Sequence, residues 1–292
     1  MTNNADTPAA ASGRFAIGGD LPVHRLGFGA MRLPRGTLQG EVRDPDTGVA
    51  VLRRAAELGV DHIDTAWFYR RGGVVANEII RKALAPYDDD LVIATKVGPL
   101  LGDDGMPRYQ AKPAELRGLV EDNLNTLGVD RLDLVYLRVG TYETGGEPVA
   151  DRFAVLAELR REGLIRHLGV SNVDAAQLAE ARSIAPVAAV QNAFHVHDRD
   201  STEVLRQCER DGIAFVPFFP LGGGRRPIDP VPLREVMTRH EATAAQVALA
   251  WLLAVSPVTL AIPGTGSLAH LEENMAAGRL RLAPEDVAAL EG

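Results

Sequence analysis

The 292-residue chain holds a single cysteine, Cys208, so no internal disulfide can form and the sequence suits a reducing compartment. Aromatic residues make up only 5%. No apolar run approaches the roughly 18 residues needed to cross a bilayer. Positive charge is in deficit, with 31 Lys and Arg against 39 Asp and Glu, a formal net charge of -8. That balance disfavours nucleic acid and anionic membranes as partners, although a local pocket can still oppose it and take an anionic cofactor. Residues 1–13 lack a basic n-region and an apolar h-region and do not read as a secretory signal. They are Ala/Asn/Thr-rich and are expected to be a disordered tail. No Gly-x-Gly-x-x-Gly follows the first strand, which weakens a doubly wound nucleotide-binding sheet. His195-x-His197 has no accompanying carboxylate–histidine frame, so no metal is expected. What remains is a cytoplasmic globular protein, 46% apolar and 24% charged, with enough core for one large domain over 14–292.

The text alternates strand and helix without a linker. Phe15 to Ile17 and Leu21 to His24, joined through Gly18-Gly19-Asp20, read as a small hairpin. Apolar runs then recur at 26–30, 60–64, 91–96, 132–137, 167–170, 187–191, 212–217 and 258–262. Between them lie segments of helical periodicity, among them 46–58 stopped by Gly59, and a helix opened by Pro113 and ended by Gly128. Eight strands each followed by helix predict an α/β fold, a parallel (β/α)₈ TIM barrel, with a doubly wound sheet as the alternative. In a barrel, function gathers at the C-terminal strand ends. Asp64, Lys96, Arg138, Ser171, Asn172, Gln191 and the Pro-Gly-Thr after Ile262 all fall there.

The chemical centre is read at Asp64 to Tyr69 and at Lys96. A carboxylate and a lysine at the same end of neighbouring parallel strands can pair, and the lysine can reach the phenol five residues after Asp64. Such a lysine is expected to lower the phenol pKa and make Tyr69 a proton donor near neutral pH.

These residues resemble the aldo-keto reductase superfamily, and within it the bacterial pyridoxal reductase-type members. The likeness runs from about Phe15 to Leu290. It is carried by Gly-Phe-Gly-Ala-Met at 27–31, Asp-Thr-Ala-x-x-Tyr at 64–69, Thr95-Lys96 and Leu168-Gly169-Val170-Ser171-Asn172. Gln191-Asn192, Phe218-Phe219-Pro220-Leu221-Gly222-Gly223 and Ile262-Pro263-Gly264-Thr265 with Glu273-Asn274 continue it. The resemblance implies a hairpin capping the barrel bottom and an NADPH-dependent reduction of an aldehyde or ketone, with NADH less favoured. It implies a catalytic set of Asp64, Tyr69, Lys96 and Arg138. It places cofactor at Gly29, Met31, Asp64, Ser171, Asn172, Gln191, Phe218, Pro220, Leu221, Gly222 and Gly223. Ile262 is a further cofactor position, the adenosine end falls to Gly264, Thr265, His270, Glu273 and Asn274, and the substrate pocket to Trp67, Arg138 and His195. The partner is a small carbonyl compound, and the chain is expected as a monomer or weak homo-oligomer.

Four positions depart from the family pattern. Arg138 stands where the family has a histidine; it cannot relay a proton, but it can donate two hydrogen bonds to a carbonyl oxygen and favour a substrate with an anionic oxygen beside it, such as pyridoxal. Gly264 and His270 stand where NADPH-preferring members often have lysine and arginine, and His195 replaces an asparagine. Arg225-Arg226 is read as either a phosphate contact or a solvated loop. Two other functions stay open: an alcohol dehydrogenase working oxidatively, and a catalytically weak, cofactor-binding regulatory protein.

Overall fold

The computed structural model describes residues 6–36, 40–140, 147–223 and 226–291. An antiparallel hairpin comes first, β1 (Arg14–Ile17) and β2 (Leu21–His24), with Ile17 opposite Leu21. It is followed by β3 (Phe28–Gly29), α1 (Pro45–Glu57) and β4 (His62–Asp64). A two-stranded ribbon, β5 (Arg70–Arg71) with β6 (Val74–Val75), precedes α2 (Ala76–Leu84). After β7 (Val92–Val97) a second ribbon, β8 (Pro99–Leu101) with β9 (Pro107–Gln110), fills most of the segment 98–112. The chain continues through α3 (Pro113–Leu127), β10 (Leu132–Arg138), α4 (Ala150–Arg161), β11 (Ile165–Ser171), α5 (Ala175–Ile184) and β12 (Ala189–Gln191). It ends with α6 (Thr202–Asp211), β13 (Ala214–Phe215), α7 (Pro230–His240), α8 (Ala244–Val255), α9 (Leu268–Ala276) and α10 (Pro284–Glu291). Among the described residues no helix is long and apolar enough to cross a membrane.

Seven strands form one parallel sheet in the order β13-β12-β11-β10-β7-β4-β3. The expected strand at 258–262 closes it as two bridges only, Phe215 with Thr259 and Leu26 with Ala261, both parallel. Pro257 and Pro263 bracket this segment and lack the N–H that a longer ladder needs. The Ala261 N–H donates to Arg25 O at 2.8 Å and the Gly27 N–H to Ala261 O at 2.9 Å, so the sheet meets itself as a barrel.

Side-chain alternation sorts the strands into two cores. On β10, Val135 and Leu137 join the layer between strands and helices, whereas Leu134 and Tyr136 join the barrel interior. Ile17, Leu21 and Val23 of the hairpin pack into that interior beside Val92 and Leu260, closing the bottom as expected. Continuing the alternation, Asp64, Lys96, Arg138, Ser171 and Gln191 project inward at the opposite end. The helices start where the sequence offers caps. Asp174 with Gln177, and Thr243 with Gln246, form reciprocal capping boxes on α5 and α8.

The tail differs from expectation. Residues 6–13 are packed: Ala9 is fully buried, its N–H donates to Leu58 O, and Ala10–Ser12 form a 3-10 turn. The Ser12 hydroxyl accepts from the Leu26 N–H and donates to Ala9 O, which ties the segment to the barrel wall. Residues 1–5 of that tail, and 141–146 of the loop after β10, lie outside the described residues.

Candidate active site

Adjacent parallel strands β4 and β7 bring Asp64 and Lys96 together. Lys96 Nζ lies 2.6 Å from Asp64 Oδ1 and donates also to Thr65 O at 2.7 Å. The second carboxylate oxygen, Oδ2, accepts from Gln191 Nε2 at 2.8 Å. Both charged side chains are almost fully buried, at 2% and 3% exposure. Their mutual pairing offsets the cost of removing them from solvent. Beyond β4 the chain stays on the ladder, with Thr65 N–H to Ala94 O and Trp67 N–H to Lys96 O, and then turns through Tyr69 N–H to Ala66 O. That turn lays the Tyr69 ring over the lysine, 4.7 Å from Nζ to the ring centroid.

Burial pushes the Tyr69 phenol above its ordinary value of 10.0, and the Asp64 charge adds to the rise. The charges of Lys96 and Arg138 and a Lys96 hydrogen bond oppose it without prevailing. The sequence-based expectation of a lowered phenol is therefore corrected: desolvation of a buried phenolate outweighs the neighbouring cations. Arg138 ends β10 beside Ser171, with Nη1 3.3 Å from the serine hydroxyl, and its guanidinium covers the Phe218 ring at 4.5 Å.

Above these groups opens a cleft of about 150 Å³. Gly29, Met31 and Arg32 form one wall, and Phe218, Phe219, Pro220, Leu221 and Gly223 the other. Asp64 and Tyr69 lie in the floor, and Ile262, Pro263 and Gly264 at the far end. Backbone comes very close here: a Cβ on Gly264 would sit 2.3 Å from Gly29 O. Gly222 holds φ +79, where a Cβ would meet Arg226 O at 1.8 Å, so the loop turns only with glycine. Asn172 (φ 62) and Phe219 (φ 56) take the left-handed region without being glycine; Phe219 lines the cleft and Asn172 follows Ser171 at the end of β11. The Asn172 amide donates to Val139 O at 3.0 Å, and its backbone N–H to Gln191 O.

The cleft thus gathers the predicted Gly29, Met31, Asp64, Tyr69, Phe218, Pro220, Leu221, Gly223, Ile262 and Gly264. Thr265 is buried nearby, while His270, Glu273 and Asn274 follow on α9, outside the cleft lining. Trp67 also stands apart: its indole N–H donates to Asp122 Oδ2 at 2.7 Å and Arg70 covers its ring. His195 is buried, and its Nδ1 accepts from the His197 N–H at 3.2 Å. Arg226 pairs with Asp198 at 3.2 Å, and Arg225 lies outside the described residues. Sequence reasoning missed Arg32, Phe219 and Pro263. Each adjoins a residue it found, so proximity to the Met31, Phe218 and Ile262 positions was the available signal.

Comparisons with known proteins agree with this arrangement. The profile of the aldo/keto reductase family matches residues 25–228 and 229–292. Pyridoxine 4-dehydrogenase of Escherichia coli (strain K12) is 46% identical over 285 residues, covering 97% of this chain and 98% of that protein. Among solved structures, the thermostable aldo-keto reductase Tm1743 in complex with the inhibitor epalrestat superposes with a TM-score of 0.79 at 31% identity. The overlap spans 95% of this chain and 98% of that one. An aldo-keto reductase from Klebsiella pneumoniae in complex with NADPH gives 0.77 at 27% identity, over 95% and 93%. Matched by the family profile from the first core strand to the last residue, the chain belongs to the aldo/keto reductase family of oxidoreductases.

Proposed function

We propose that the chain is an NADP(H)-dependent reductase of aldehydes and ketones, acting on pyridoxal or a carbonyl with a similar neighbouring oxygen. The observation that carries this reading is the buried Lys96 ammonium held between Asp64 and the Tyr69 ring on the floor of a cleft. The 46% identity to a pyridoxine 4-dehydrogenase supports the substrate class, and the NADPH-bound neighbour supports the coenzyme.

The residues fit a nicotinamide. Gln191 Oε1 is a buried acceptor without a well-formed hydrogen bond among the described residues, with the Tyr136 hydroxyl as its near polar neighbour, and it suits a carboxamide N–H. Phe218 lines the cleft and presents a ring that now stacks under the Arg138 guanidinium, a surface suited to a planar ring. A nicotinamide coenzyme held there by Gln191 and Phe218 would supply a hydride to the carbonyl carbon or take one from the alcohol. Tyr69, kept protonated by its burial, delivers its phenol proton to the carbonyl oxygen. Lys96 and Arg138 then oppose the phenolate charge left behind. Arg138 donates to the developing alkoxide and to an oxygen beside it, contacts open to a guanidinium and closed to an aliphatic side chain. A phenol that resists ionisation supports reduction as the faster direction at neutral pH. The name of the Escherichia coli relative favours a second reading, in which the same residues run the oxidation of an alcohol.

NADPH oxidation followed spectroscopically, with pyridoxal beside plain benzaldehyde, tests the proposal. Pyridoxal is expected to be preferred in kcat/KM, and Arg138→Ala to lose about 10–100-fold of that preference while benzaldehyde changes less. Equal loss on both substrates would make Arg138 a general carbonyl clamp. No turnover despite tight NADPH binding would favour a cofactor-binding regulatory protein.

A further inference from the structure

The two positions expected to hold a coenzyme 2′-phosphate carry no fixed cation: Gly264 has no side chain, and His270 is exposed on α9. The structure brings cations there from another element. After β3 the chain folds back on itself, with Arg35 bridged antiparallel to Val42 and the Arg43 N–H donating to Pro34 O at 3.1 Å. This places Arg43 against the segment that leads into α9, where Nη1 donates to Gly266 O at 2.6 Å. A Cβ on Gly266 would fall 1.8 Å from that nitrogen, so the approach needs glycine. Arg32 reaches across the cleft: Nη2 donates to Gly223 O on the opposite wall at 3.0 Å, and Nη1 to Gly36 O at 3.0 Å.

Burial holds the Arg32 guanidinium below its ordinary pKa, and the charges of Arg35 and Arg43 push the same way. Arg32 thus stands in the cleft wall within reach of the Arg35 and Arg43 charges, in a protein whose net charge is -8. Among the described residues, the hydrogen bonds of Arg32 and Arg43 run only to backbone carbonyls. A guanidinium has five N–H donors, so donors remain on both. Thr265 and Ser267 lie on the same approach, their side chains bound to the backbone N–H groups that open α9. The dipole at this nine-residue helix start has the same sign as the arginines. A polyanion is what relieves such an arrangement.

We propose that Arg43 reads the 2′-phosphate of NADP(H) and Arg32 its diphosphate, so that selection against NAD(H) is exerted from the segment after β3. The proposal rests on the NADP(H) reading given above.

Calorimetric titration of the full chain with NADP+ and NAD+ tests it without turnover. Wild type is expected to bind NADP+ more tightly than NAD+. Arg43→Ala should weaken NADP+ by about 10–100-fold and leave NAD+ within about threefold, the size of one charge-assisted phosphate contact. Retained NAD+ affinity also shows that the variant is folded. Arg43→Lys should recover part of the loss, and Arg32→Ala should weaken both dinucleotides alike, because both carry the diphosphate. An Arg43→Ala chain that keeps its preference, or loses both ligands equally, overturns the proposal and leaves the reductase reading standing. Wild-type binding of NAD+ as tightly as NADP+ overturns it as well. Binding of neither dinucleotide overturns that reading and this inference together.

Discussion

Tyr69 has two opposing influences on its proton. Lys96 lies 4.7 Å from its ring centroid, yet burial holds the phenol above 10.0. On the proposed mechanism, the group that gives up a proton during reduction is thereby kept loaded across the neutral range, and Lys96 acts on the product of the transfer more than on the resting state. Two results are expected. Tyr69→Phe should lower kcat for reduction by about 10²–10⁴-fold while coenzyme affinity in a titration stays within a few-fold. The kcat/KM of the wild-type reduction should show no falling limb below about pH 9, because the phenol is deprotonated only as pH rises through its raised value. A limb centred between pH 7 and 8 would mean that another group is the acid.

At the scale of elements, the closeness of β11 to its neighbours depends on Gly169. A Cβ there would lie 2.5 Å from Tyr136 Cδ1 and 2.8 Å from Ala189 O, and Tyr136 is fully buried in the barrel interior. Gly169→Ala should cost about 1–3 kcal/mol in urea unfolding, the usual range for overpacking, and adding Tyr136→Leu should recover part of that loss. Additive losses in the double variant would mean that the ring is not what the methyl meets. The strands and caps of this frame were legible in the chain: short apolar runs ending on Asp64, Lys96 or Arg138 gave strand ends, and Pro113 with Gly128 bounded α3 within its observed limits. The ribbons β5–β6 and β8–β9 were not, since they are two to four residues long, are glycine-linked and carry no apolar alternation. The packing of Ala9 and Ser12 was hidden because small residues look alike in a tail and in a close contact. Arg32 reaches Gly223 across 191 residues of sequence, a contact that no local pattern encodes. The direction of the Tyr69 shift was lost for a related reason: the order of residues names its charged neighbours and leaves its degree of burial open.

For the whole molecule, the barrel interior makes stability depend on acid. His62 faces inward one alternation below Asp64, is fully buried, and neither ring nitrogen has a partner among the described residues. Its close neighbour is Gly27, where a Cβ would approach Nδ1 to 3.0 Å. Burial lowers its pKa from 6.5 to about 4; Asp64 pulls upward and Lys96 downward. The folded protein therefore holds this ring neutral while the unfolded chain takes up a proton below about pH 6.5. Between those two values the unfolded state binds the extra proton, so stability falls as pH falls, and the loss is complete below about pH 4. At about 1.4 kcal/mol per pH unit, the contribution is about 3 kcal/mol. His62→Leu removes the titration and keeps a similar volume, so near pH 7 its stability should lie within about 1.5 kcal/mol of wild type. Unfolding by urea at pH 7 and at pH 4.5 measures the difference directly. Wild type should lose about 2–3 kcal/mol more than His62→Leu over that interval, with the remaining, shared loss assigned to carboxylates. Parallel pH slopes in the two proteins would show that His62 is protonated inside the barrel at no cost, and that its neighbours, Asp64 foremost, accept the charge.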